Sequence, residues 1–151
     1  IIFTFDNIYY ITRLLDGEFL DFRKKIPEMT EVTAKVSVSR LINSIERAAL
    51  IIDEKIKSSI RLIFKDGSLS ISCNTMLGKF KDEFDIEMSD GEIEIGFNHK
   101  ILLEAVRACG EEYINLRLTH KLGPMIISPV HDEEKNDDRF LYMILPVQLK
   151  N

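Results

Sequence analysis

The sequence predicts an α+β domain, an antiparallel sheet with two short helices on one of its faces. Three observations carry this. Several stretches alternate apolar and polar residues with period two, as half-buried strands do. Two of them pass directly into helical periodicity, and each helix is followed by a pair of strand-like runs joined by a turn-rich link. The strand–helix–hairpin unit therefore occurs twice, which predicts a pseudo-symmetric domain.

Residues 1–5 and 8–14 read as strands joined at Asp6-Asn7, with a further turn at Asp16-Gly17. Residues 18–27 mix aromatic and basic side chains and end on Pro27, as a linker or the rim of a binding surface would. Pro27-Glu28-Met29-Thr30 reads as a boundary, dividing 1–27 from a main domain over 28–151. The chain opens on Ile-Ile-Phe-Thr-Phe without an initiator Met and reads as a piece of something longer.

In the first unit Val32, Ala34, Val36 and Val38 alternate with Thr33, Lys35 and Ser37. Ser39 is the expected N-cap of a helix whose apolar positions are Leu41, Ile42, Ile45, Ala48, Ala49 and Ile52. Its other face carries Arg40, Asn43, Ser44 and Arg47. A polar connection over 53–59 leads to paired strands over 60–64 and 69–73, linked by Lys65-Asp66-Gly67-Ser68. Residues 80–88 read as one further strand with Phe80, Phe84 and Ile86 inward, although Asp82 breaks the alternation.

The second unit is the clearest stretch. Ile93, Ile95 and Phe97 alternate with Glu92 and Glu94 after a turn at Asp90-Gly91. Asn98 then caps a helix with Ile101, Leu102, Ala105, Val106 and Cys109 on its apolar face and Lys100, Glu104 and Arg107 opposite, and Gly110 ends it. Strands over 113–119 and 125–130 follow, joined by His120-Lys121-Leu122-Gly123-Pro124. A closing strand over 140–149 is interrupted by Pro146, which cannot donate to a ladder, so the chain is expected to leave the sheet there.

The chemistry suggested by these residues is sparse. With 151 residues and 45% hydrophobic content the chain can bury a sizeable core, and it has no run apolar and long enough for a transmembrane helix. Cys73 and Cys109 lack metal or redox spacing and read as reduced core thiols of a cytosolic protein. His99, His120 and His131 suggest no metal site, no nucleophile motif or phosphate loop is present, and the acidic run over 132–138 lacks the ligand order of a calcium loop. No cofactor, metal or catalysis is expected. The net charge of −5 taken alone argues against nucleic acid, but the acidic residues gather at 82–94 and 131–138 while the helix faces hold Arg40, Arg47, Lys100 and Arg107.

Three segments resemble one family. Residues 15–27, Leu-Asp-Gly-Glu-Phe-Leu-Asp-Phe-Arg-Lys-Lys-Ile-Pro, are similar to its L-x-G-x-F-P-D-Y-x-x-x-I-P linker. Glu-Ile-Glu-Ile-Gly-Phe-Asn at 92–98, with Leu102 and Val106 beyond, resembles its E-I-G-F-N segment. Residues 142–149, Tyr-Met-Ile-Leu-Pro-Val-Gln-Leu, resemble its C-terminal tail. The family is the bacterial DNA polymerase sliding clamp, and the three motifs stand in its order over essentially the whole chain. Leu20, Phe22 and Lys25 replace the linker's usual Pro, Tyr and apolar residue, and Gln148 replaces a position often basic.

The resemblance implies a DNA-clamp fold, with residues 1–27 the end of a second domain plus linker and 28–151 a third domain. It implies a head-to-tail homodimeric ring around double-stranded DNA, a processivity factor in the cytoplasm with no chemistry of its own. Arg40, Arg47, Lys100 and Arg107 would face the duplex without reading sequence. Leu20, Lys24, Lys25, Met143, Leu145, Pro146 and Val147 would form a pocket for peptides of the replicative polymerase, the clamp loader and other partners. Leu50 and Ile51 would meet the next subunit. The alternative from a different class is an α+β interaction or oligomerisation module that binds no nucleic acid.

Overall fold

Val32–Ser37 forms a strand (β3) whose Val32, Ala34 and Val36 are buried while the intervening side chains are partly exposed, as its alternation predicts. It is preceded by a separate hairpin, Ile2–Phe5 (β1) paired with Ile8–Ile11 (β2), with Asp6 at positive φ in the turn. Both hairpin strands are exposed throughout. The computed structural model describes residues 1–27, 29–52, 59–130 and 139–149. The acidic run and most of the polar connection after the first helix lie outside the described residues.

β3 runs without a break into a helix over Val38–Ala49 (α1), capped at Ser37 rather than at the expected Ser39. Ser37 keeps extended backbone and its side chain makes no capping bond to the helix; its hydroxyl lies 3.2 Å from that of Ser39 instead. Ile60–Lys65 (β4) and Ser68–Thr75 (β5) follow as a hairpin. Asp66 and Gly67, at φ 49° and 75°, make the two-residue turn whose twist suits antiparallel strands.

The single strand expected over 80–88 is two. Gly78–Asp85 (β6) pairs with β5, and Glu87–Met88 (β7) pairs with β3 in a different sheet. The handover occurs at Ile86, whose amide donates to the carbonyl of Gly67 at 2.8 Å. Ile93–Phe97 (β8) then leads into a helix over His99–Ala108 (α2). Asn98 caps α2 as predicted, its side-chain oxygen accepting from the amides of Lys100 and Ile101 at 2.9 and 3.4 Å. Gly110, at φ 66°, follows the helix end, where a left-handed residue is needed.

Tyr113–Leu118 (β9), Met125–Pro129 (β10) and Tyr142–Ile144 (β11) complete the second unit. The closing strand is far shorter than the expected 140–149: it stops two residues before Pro146, which disfavours strand pairing at its own position.

The duplication is visible in the topology, with an exchange. One sheet has the order β11-β10-β9-β3-β7 and the other β6-β5-β4-β8. The first strand of each unit therefore pairs with the other unit's hairpin, β3 with β9 and β8 with β4, all antiparallel. The helices pack against each other, with α1 also on β3, β5 and β6 and α2 on β11. One core runs through both units: Leu41 and Ile45 of α1, Leu102 and Val106 of α2, and Phe64, Ile95, Leu116 and Ile127 of the sheets are buried together. Ile101, expected on the buried face of α2, is 54% exposed. No helix among the described residues is long and apolar enough to cross a membrane.

Candidate functional site

The cationic faces of α1 and α2 come from spacing. Arg40 and Arg47 are seven residues apart, as are Lys100 and Arg107, and a separation of two helical turns returns a side chain to the same face. The opposite faces are held against the sheets by Leu41, Ile45 and Ala48 and by Leu102 and Val106, so all four cations project from exposed positions. The two helices pack against each other, and Arg107 of α2 reaches Glu46 of α1, the neighbour of Arg47 in sequence.

Their surroundings differ. The Arg40 guanidinium lies 5.0 Å over the ring of Phe84, and no carboxylate pairs with it among the described residues. The Arg47 guanidinium lies 5.7 Å over Phe80, donates from Nε to the carbonyl of Asn43 at 3.3 Å, and pairs through Nη2 with Asp82. Arg107 pairs through Nη2 with Glu46, bridging the two helices. These are surface pairs, with the Arg47 and Arg107 side chains 56% and 55% exposed. Lys100 is exposed beside the α2 cap. The carboxylate partners were not singled out from the sequence. The signal for one was there: Asp82, which breaks the alternation of β6, points to the same side as Phe80 and Phe84, where Arg47 reaches it.

The tail is the second feature. Beyond β11 the amide of Val147 donates to the carbonyl of Gly96 at 2.8 Å, and the Leu149 side chain lies against Gly96. A cavity of about 1090 Å³ opens here, lined among others by Arg61, Lys79, Asn98, Ile101, Val147 and Leu149. A second, of about 550 Å³, lies on the other side of the tail, between Val147–Leu149 and Glu31, Glu94, His120 and Leu122. Val147 thus lines both. Leu20, Lys24, Lys25, Met143, Leu145 and Pro146 line neither of these two. Leu20, Met143 and Leu145 are exposed, Pro146 is half-buried, and Lys24 pairs with Asp21 at 3.0 Å. The α1 end carries the third: Leu50 is 82% exposed, Ile51 is half-buried and packs on the core, and Ile52 is buried.

Of the two thiols, Cys73 lines the larger cavity and Cys109 lines neither of these two cavities. Both are buried, and burial, helped by nearby Glu111, pushes the Cys109 thiol up to about 11. Among the described residues no cluster of metal-ligating side chains exists.

Comparison with known proteins identifies the family. The family pattern described as DNA polymerase III beta subunit, C-terminal domain, matches residues 23–148. The beta sliding clamp of Streptococcus pneumoniae is 29% identical over 150 residues, 98% of this chain and 39% of the relative. That of Staphylococcus aureus is 27% identical over the same length. The DNA polymerase sliding clamp of Bacillus subtilis superposes with a TM-score of 0.86 at 26% identity, over 99% of this chain and 39% of that one. A sliding clamp from Pseudomonas aeruginosa bound to griselimycin, 25% identical, superposes with a TM-score of 0.80 over 91% of this chain and 36% of that one. The chain spans about two fifths of the length of the relatives it matches. The chain belongs to the DNA polymerase III beta subunit family and matches its C-terminal domain.

Proposed function

We propose that this chain is the C-terminal part of a sliding clamp, a processivity factor that encircles double-stranded DNA and tethers a replicative polymerase to it. On this reading residues 28–151 are the third clamp domain, and 1–27 close the second and link the two. The observation that carries it is the coincidence of two facts: the likeness to clamps extends over nearly the whole chain, and the two adjoining helices carry four exposed cations on an otherwise acidic protein. Dispersed, exposed Lys and Arg suit phosphate contact without base readout. The acidic residues of the strands and turns would discourage DNA from binding elsewhere.

Partners would dock at the tail, where Met143, Leu145, Pro146 and Val147 present adjacent apolar side chains. Leu20, Lys24 and Lys25 of the linker would complete the pocket for short peptides of the polymerase catalytic subunit, the clamp loader and other replication proteins. Leu50 and Ile51 would contact the neighbouring subunit in a homodimeric ring. Such a protein works in the cytoplasm, needs no cofactor and performs no chemistry.

The test is topological. The full-length protein carrying this chain, loaded on a circular duplex, should stay bound through a high-salt wash and be released when the circle is linearised. Release from circles and linear DNA at equal rates would instead favour an interaction module that does not encircle DNA.

A further inference from the structure

Arg47 and Arg107 reach a duplex already partnered. A guanidinium has five N–H donors. Arg47 commits Nε to the Asn43 carbonyl and one N–H of Nη2 to Asp82, and its face rests on Phe80, so the two Nη1 donors and the second of Nη2 are left for a phosphate. Arg107 commits Nη2 to Glu46, which also adjoins Arg47 in sequence. Arg40 is braced on Phe84 instead, an apolar support, and no carboxylate among the described residues takes its donors.

We propose that Glu46 and Asp82 are positioning residues that hold Arg107 and Arg47 outward while limiting how tightly each grips a DNA phosphate. The proposal rests on the reading of this helix face as duplex-facing. A phosphate approaching either arginine meets a fixed negative charge within a few ångströms of the cation. It must share the guanidinium or displace the carboxylate, so it gains less than it would from a lone arginine. Two braked contacts beside the unbraked Arg40 make a face that attracts DNA and releases it readily, as movement along a duplex requires. The brakes are built across elements: Glu46 lies on α1 and acts on α2, and Asp82 lies on β6 and acts on α1. Packing of the helices and of β6 therefore sets the grip.

The experiment measures binding of the full-length protein to a short duplex of random sequence over a salt series. Glu46→Gln and Asp82→Asn should each tighten binding about threefold or more and steepen the salt dependence by up to about one further released ion. Glu46→Asp should stay near the unmodified protein. Glu87→Gln is the control: it removes the same charge from the pair with Lys35, on the other sheet, and should change affinity less than about twofold, as a remote screened charge does. Arg47→Gln and Arg107→Gln should weaken binding modestly, and Arg40→Gln more than either. If Glu87→Gln tightens binding as much as Glu46→Gln, net charge is responsible and the proposal falls. It falls equally if the arginine variants weaken binding while the carboxylate variants leave it unchanged. If the arginine variants have no effect either, the duplex-facing reading itself is overturned, and the brake with it.

Discussion

The amide of Val147 donates to the carbonyl of Gly96 at 2.8 Å, and that bond fixes the course of the chain after the last strand. Gly96 sits in β8, far from the tail in sequence, and its missing side chain makes the approach possible. A Cβ there would lie 2.6 Å from Leu149 Cδ2 and 2.9 Å from the Val147 carbonyl oxygen. Leu149 can rotate away, but the backbone oxygen can withdraw only by moving the tail. Gly96→Ala should therefore cost about 1–3 kcal/mol of stability, as overpacking does. It should also free residues 145–149 for protease digestion. A tail that resists digestion as before would mean that Gly96 does not set its course.

Removing the tail altogether separates its two roles. Deletion from Leu145 to Asn151 takes away one covering of β8 and leaves the buried side chains of both units in place. If the chain works as the proposed clamp, the shortened full-length protein should retain cooperative unfolding and ring assembly while losing binding of polymerase-derived peptides. Peptide affinity measured by fluorescence anisotropy decides it, and undiminished affinity would place the pocket elsewhere.

Leu50 and Ile51 should respond differently from each other. Leu50 is almost fully exposed, so Leu50→Ala should change monomer stability by less than about 0.5 kcal/mol. Ile51 packs against the core, so Ile51→Ala should cost about 1–2 kcal/mol in the monomer itself. If the pair meets a second subunit, Leu50→Ala alone should raise the dimer dissociation constant in sedimentation of the full-length protein. An unchanged constant would count against this edge as the contact.

Cys109 predicts an alkaline limit. Its thiol is buried, donates to the Ala105 carbonyl at 3.2 Å, and has its pKa raised by that burial from 9.0 to about 11. The folded protein thus holds the proton over a range where the unfolded chain releases it. The stability this provides is fully present below pH 9, falls as pH rises through the interval to about 11, and amounts to on the order of 2 kcal/mol. Urea unfolding of Cys109→Ala should show a shallower decline across that interval than the unmodified protein. Equal declines would assign the effect to other groups.

Much of the fold was legible because the signals are local. The Asn98 cap, the Asp66-Gly67 turn and the inward sets Val32, Ala34, Val36 and Ile93, Ile95, Phe97 depend only on near neighbours. Partner choice does not. The alternation through residues 80–88 is nearly continuous, yet the segment passes from one sheet to the other at Ile86, because a period of two records which side a residue faces and says nothing about which strand lies alongside. Ile101 failed for a related reason. Helical phase placed it at the margin of the apolar stripe of α2, and only the position of neighbouring elements decides whether a margin is covered. For the site, spacing sufficed to put Arg40 and Arg47 on one face and Lys100 and Arg107 on another. The partners of two of these cations lie on other elements, where sequence distance hides them.

The exchange of first strands between the two units also governs synthesis. When residues 32–88 have left the ribosome, β3 still lacks β9 along one of its edges, and β4 still lacks β8. The nascent first unit must wait with two strand edges unpaired until the second emerges, because each unit's hairpin takes one of its neighbours from the other unit's leading strand. Nascent-chain folding should therefore appear as one late event after Leu118 clears the exit tunnel. A gene cut between the units would yield halves that remain insoluble apart and recover structure only when made together.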